Sequence, residues 1–103
     1  MTNAEIKNKI VKLLDGLQYE KILLFGSRAR GENRADSDYD VIVTLKNEIS
    51  RIDRFLLQSK IRKFFAQEKT DIDIIIKSAR DFDYLKEKVG NAIFDANKEG
   101  IVI

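Results

Sequence analysis

The hydrophobic positions of this chain change period several times, and each change marks an element. From Asn3 to Leu17 the apolar residues Ile6, Ile10, Leu13, Leu14 and Leu17 recur at helical spacing behind Thr2 or Asn3 as an N-cap, which predicts a helix with one buried face. Lys21 to Phe25, KILLF, is a short apolar run closed by Gly26, the pattern of a buried strand. Arg28 to Gly31 has room for a short helix, and Glu32 to Ser37 is polar enough for a loop. Asp38 to Leu45 returns to a strand, with Asp38, Asp40, Ile42 and Thr44 on one face and Tyr39, Val41, Val43 and Leu45 on the other. Both faces turn apolar beyond Asp40, as a central strand requires, so the acidic pair stands at its mouth.

Glu48 to Glu68 carries Ile49, Ile52, Leu56, Ile61, Phe64 and Phe65 at roughly helical intervals and predicts the longest helix. Asp71 to Lys77, DIDIIIK, is too short and too rich in isoleucine for a helix and predicts a third strand. Asp81 to Asn97 places Phe82, Leu85, Val89, Ile93 and Ala96 on one helical face, with Gly100 as its stop. Ile101 to Ile103 reads as a strand fragment or a contact surface. The order helix, strand, strand, helix, strand, helix, with the long helix as the crossover between the second and third strands, predicts an α/β fold: a small mixed β-sheet flanked by helices.

Length and composition narrow this picture. A chain of 103 residues suits one modest core, so a single domain over residues 1–103 is expected. With no Cys and no His, disulfides, thiolate zinc sites, cysteine nucleophiles and imidazole triads are excluded, and catalysis would rest on carboxylates, hydroxyls, Lys or Arg. No apolar run is long enough for a membrane span, and the N-terminus is amphipathic and partly acidic, unlike a signal peptide; a cytoplasmic location is expected. A net charge of +2 and a pI near 8.9, with basic and acidic residues well mixed, argue against direct nucleic-acid binding. One nucleotide triphosphate needs only a local positive field.

The candidate chemistry lies between Gly26 and Val43, GSRARGENRADSDYDVIV. Gly26 allows close backbone approach to a ligand, and Ser27 offers a hydroxyl and backbone N–H groups to phosphate oxygens, although a strand followed by Gly-Ser is also a common turn. Asp38 and Asp40, two apart on a strand, project the same way and could converge on one divalent cation; a solvated acidic strand end is the plainer alternative. Asp73, within an apolar run flanked by Ile72 and Ile74, is expected to be buried and to approach that pair if the strands are neighbours. Like charges ~5 Å apart repel by roughly 3 kcal/mol even at an effective dielectric of 20, so such a cluster calls for a cation or shifted pKa values. All-oxygen ligation points to Mg²⁺. Arg28, Arg30 and Arg34 lie in the same loop, as phosphate partners or as partners of Glu32 and Asp36.

Gly26-Ser27, ten intervening residues and Asp38-Tyr39-Asp40, set within GSRARG and SDYDVIV and followed by an IDII strand, resemble the signature of the minimal nucleotidyltransferase (MNT) family of the DNA polymerase beta superfamily. The resemblance spans the whole chain in length and element order. It implies the polymerase beta-like fold, a triphosphate held at Gly26 and Ser27, Mg²⁺ bound by Asp38 and Asp40, and a third carboxylate on the next strand, for which DIDIII offers Asp71 and Asp73. Asp73 is the preferred member, as metal ligand and general base. Arg30 and Ser37 complete the candidate nucleotide contacts. Proteins of this kind transfer AMP from ATP, often to a tyrosine of a HEPN-class toxin partner. The rival expectations are a non-catalytic antitoxin acting by occupancy and a small-molecule, aminoglycoside-like nucleotidyltransferase, and a second copy of the chain is the other candidate partner.

Overall fold

A computed structural model describes residues 1–103. Helix α1, Asn3–Leu13, opens on a reciprocal cap in which Thr2 accepts the Glu5 N–H and Glu5 accepts the Thr2 N–H. Asp15 and Gly16, at φ of 52° and 87°, then reverse the chain, and Leu17, expected on the buried face of this helix, is 40% exposed beyond it. Strand β1, Tyr19–Phe25, runs into the one-and-a-half-turn helix α2, Gly26–Arg30, and after a loop strand β2, Tyr39–Leu45, returns antiparallel to β1. Helix α3, Arg51–Gln67, crosses over to strand β3, Ile72–Ser78, which lies parallel to β2. The sheet order is β3-β2-β1-β4, where β4 is the two-residue edge strand Ile101–Val102, antiparallel to β1.

Strand alternation divides the core as the sequence predicts. Tyr39, Val41, Val43 and Leu45 face the larger cluster, where α1 contributes Ile6 and Ile10 and α3 contributes Ile61 and Phe65. Ile42 faces the opposite side, with Leu23, Phe82, Ile93 and Ala96. Thr44, fully buried on that side, bonds both the N–H and C=O of Lys21 at an irregularity in the β1–β2 register, which leaves its hydroxyl satisfied.

Two further expectations, both about helices, fail for identifiable reasons. The helix predicted over Asp81 to Asn97 is two helices, α4 over Ala79–Leu85 and α5 over Ala92–Glu99. Gly90, at φ 96°, reverses the chain, and Asn91 caps α5 by accepting the Ile93 and Phe94 N–H groups while its amide donates to the Leu85 and Lys88 carbonyls. Val89, expected on the buried face, is therefore 84% exposed. In α3, Ile52 and Leu56 are exposed as well. At 3.6 residues per turn Ile52 lies about half a turn round the helix from Ile61, so the two cannot share a face; Leu57, Ile61 and Phe65 do.

Candidate functional site

One row of backbone pairings assembles the site. Phe25 at the end of β1 pairs with Asp40 on β2, and Asp40 pairs with Asp73 on β3, so Gly26, Asp40 and Asp73 lie along one end of the sheet. Adjacent strands stand about 4.8 Å apart, which brings the two aspartates side by side on the face they share with Ile42. Asp38 precedes β2 and is exposed.

Gly26 and Asp40 fit together closely. Gly26 has φ 71°, and a Cβ placed on it would stand 2.2 Å from Asp40 Oδ2. The glycine is therefore required twice, by conformation and by the carboxylate against its Cα. Gly26→Ala should lower stability by about 1–3 kcal/mol and move Asp40, measured as a fall in the denaturation midpoint with unchanged slope.

Electrostatically, Asp40 is the perturbed group. Burial, then Asp73, then Asp38 push its carboxyl above the usual range, Glu99 adds to the rise, and Arg30 opposes it. Asp73 itself is exposed, contrary to the expectation from its isoleucine neighbours. It is the second residue of an edge strand, and Ile72 and Ile74 point to the opposite face, into the large cluster. Asp71 lies just outside β3, where its C=O accepts the Tyr39 N–H.

The remaining candidates separate into two groups. Arg30 faces the cradle, paired with Glu32 and with Glu99, and these hydrogen bonds, Glu32 first, hold its guanidinium above its ordinary value. Ser27, half-buried in α2, accepts the Gly31 and Glu32 N–H groups at its C=O. Ser37 serves the preceding loop: its hydroxyl accepts the Arg34 N–H at 2.8 Å, and its C=O accepts two bonds from Arg28. Arg28 also stacks on Tyr39, 3.8 Å from the ring centre, so its charge is committed to holding the loop. Arg34 is exposed.

No group of three or more carboxylates forms a ready-made ligand set for a metal. The residues present nevertheless fit a hard cation that arrives with phosphate. Mg²⁺ commonly takes one or two protein carboxylates and completes its shell from phosphate and water, and only oxygen donors are available here. The space above Asp40 is also the space a Gly26 Cβ would fill.

Sequence reasoning missed two residues. Arg62 of α3 lines a cleft of about 390 Å³ with Asp38, Thr70, Asp71 and Asp73, at the β3 edge of the site. Glu99, at the end of α5, reaches Gly26 and Arg30 from the far end of the sequence. The only local signal for Glu99 is that a carboxylate in the last turn of a helix is poorly placed against the helix dipole.

Comparison with known proteins gives this geometry a context. A search of the curated proteins returned no match. Among solved structures, a toxin–antitoxin complex with AMP-PNP contains a chain 23% identical, with a TM-score of 0.59, the match covering 93% of this chain and 70% of that one. The MntA–HepT toxin–antitoxin complex gives 21% identity and 0.57, covering 97% and 70%. A tri-AMPylated Shewanella oneidensis HEPN toxin in complex with MNT antitoxin gives 22% and 0.55, covering 98% and 71%. At these identities the likeness is one of fold. The sequence profile of the polymerase beta nucleotidyltransferase family matches residues 8–99, nearly the whole chain and all of the row from Gly26 to Asp73, and the chain belongs to that family.

Proposed function

We propose that this chain transfers AMP from ATP to a hydroxyl on a protein, a tyrosine of a HEPN-class partner, with Mg²⁺ as cofactor. The observation that carries the reading is the in-register row that places Asp40 between the Gly26 cradle and Asp73. In this reading Gly26, Ser27 and Arg30 bind the triphosphate at the β1 end, and Asp38 and Asp40 hold Mg²⁺, with Asp73 alongside. Bound there, Mg²⁺ polarises the α-phosphate and neutralises the pyrophosphate leaving group. The acceptor enters on the opposite side, at the cleft between Arg62 and Asp73 on the β3 edge. Asp73 takes the hydroxyl proton as the oxygen bonds to the α-phosphorus and the α–β bridge breaks, releasing pyrophosphate.

The partner assignment draws on the AMP-PNP and AMPylated-toxin complexes of similar fold. Apolar surface for a partner exists in Ile52, Phe55 and Leu56 on α3 and in Ile101 and Val102 on β4, all exposed. No helix is long and apolar enough to cross a membrane.

The test is incubation with α-labelled ATP and the protein encoded beside this chain, with Mg²⁺ or with chelator. Expected is Mg²⁺-dependent label on a partner tyrosine, located by mass spectrometry. A stable complex that never acquires label would replace the reading with an antitoxin that acts by occupancy. Label appearing on aminoglycosides instead would make it a small-molecule transferase.

A further inference from the structure

The groups that would meet a nucleotide's phosphates already hold an anion supplied by the chain itself. Glu99 Oε1 accepts the Gly26 N–H at 3.3 Å, and Arg30 Nη1 donates to both Glu99 oxygens at 3.1 Å. These contacts join residues 69 or more positions apart, and the fold sets them up: immediately after Glu99 the chain enters β4, whose Ile101 pairs with Leu24 on β1. Glu99 is thereby anchored beside the strand end that leads into Gly26.

We propose that Glu99 is an internal competitor for the phosphates, which bind at Gly26 and Arg30 by displacing its carboxylate. This rests on the nucleotide reading of the cradle given above. A carboxylate and a phosphate present equivalent acceptor oxygens to an N–H and a guanidinium, so one anion can stand where the other would bind. They cannot use the same donors together, and Glu99 also adds negative charge beside Asp40, which a polyphosphate would have to approach. Arg30 is already shared with Glu32, so its positive field is largely spent until Glu99 withdraws. The opposite role for the same contacts is a positioning one, in which Glu99 holds Arg30 ready for phosphate, and the two roles differ in sign.

Calorimetric titration with Mg·ATP and with inorganic tripolyphosphate separates them. Glu99→Gln keeps the size and an acceptor oxygen for Gly26 while removing the charge. It should tighten both ligands by about three- to tenfold, the range expected for removing one charged competitor at a partly exposed site. Arg30→Gln should weaken both ligands, since it removes a donor that Glu99 and the phosphates share, and adding Glu99→Gln to it should still recover part of the loss by removing the negative charge beside Asp40. Affinity that is unchanged or weaker in Glu99→Gln, with the parent still binding, overturns the proposal and assigns Glu99 to positioning. If parent and Glu99→Gln both fold, by circular dichroism, yet neither binds Mg·ATP or tripolyphosphate, the nucleotide reading itself fails and the competitor role falls with it.

Discussion

In protein carrying Asp38→Asn and Asp40→Asn, the proposed AMP transfer should fall by at least about a thousandfold while the fold is kept. Removing a single preorganised charge-stabilising group from a transfer site costs about 10²–10³ in rate, and this pair is proposed to hold the cation on which charge neutralisation depends. Neither side chain supports the core: Asp38 is exposed, and Asp40 stands at the sheet's mouth with like charges around it. In chelator the double variant should therefore melt no lower than the parent. The pH dependence has a definite sign. Burial, Asp73 and Asp38 raise the Asp40 carboxyl above its usual 3.8, so the folded state binds that proton more tightly than the unfolded one. The parent gains stability from this group as pH falls through the raised value, gains it fully below 3.8, and loses it again as pH rises. Asparagine has no proton to bind, so any advantage of the variant belongs above that window and disappears below it. Melts in chelator from pH 7 to 4, together with initial rates using labelled ATP, check both halves. A lower melting temperature for the variant at neutral pH would make the pair structural, and a rate within tenfold of the parent would remove it from the reaction.

What could be read in the sequence was whatever depends on neighbours in the chain. KILLF became β1 because a buried strand reads as a short, continuous apolar run, DIDIIIK became β3 because it is short and rich in isoleucine, and alternation along Asp38 to Leu45 gave both faces of β2 correctly. The failures have the same origin. The approximate periodicity of α3 admitted Ile52 and Leu56, whereas the 3.6-residue repeat puts Leu57 beside Ile61 and Phe65. Gly90-Asn91 is a stop followed by a cap, but Phe82, Leu85, Val89 and Ile93 continue a helical period straight across it. At the site, the Gly26 to Asp40 spacing was legible because it lies in one turn and one loop. The bond from Glu99 to Gly26 was not, since it exists only once β4 has paired with β1. Nor was the commitment of Arg28 to Ser37 and Tyr39, which in sequence looks like any other loop charge.

The choice between Asp71 and Asp73 as third carboxylate turns on register, and the structure replaces the reason first available for it. Flanking isoleucines suggested a buried Asp73, but Asp73 is exposed, so burial is not what would prepare it as a base. Its position does more. Asp73 pairs directly with Asp40 across β2 and β3 and, after burial, is the strongest of the influences that raise the Asp40 carboxyl; Asp71 is not among them. Asp71 precedes the strand, and what it supplies to this end of the sheet is a backbone C=O for the Tyr39 N–H, which asparagine would retain. Asp73→Asn should therefore lower the single-turnover rate about a hundredfold or more, in the range for loss of a general base, while Mg·ATP still binds through Gly26, Arg30 and the Asp38–Asp40 pair. Asp71→Asn should change the rate less than about threefold, because it removes only a charge at the rim of the acceptor cleft. Measuring nucleotide affinity beside the rate distinguishes a lost base from a lost binding site: unchanged affinity with a collapsed rate identifies the base. If Asp71→Asn proves the more damaging, the proton acceptor lies at the entrance of β3 and the acceptor hydroxyl must approach nearer Thr70 than Asp40.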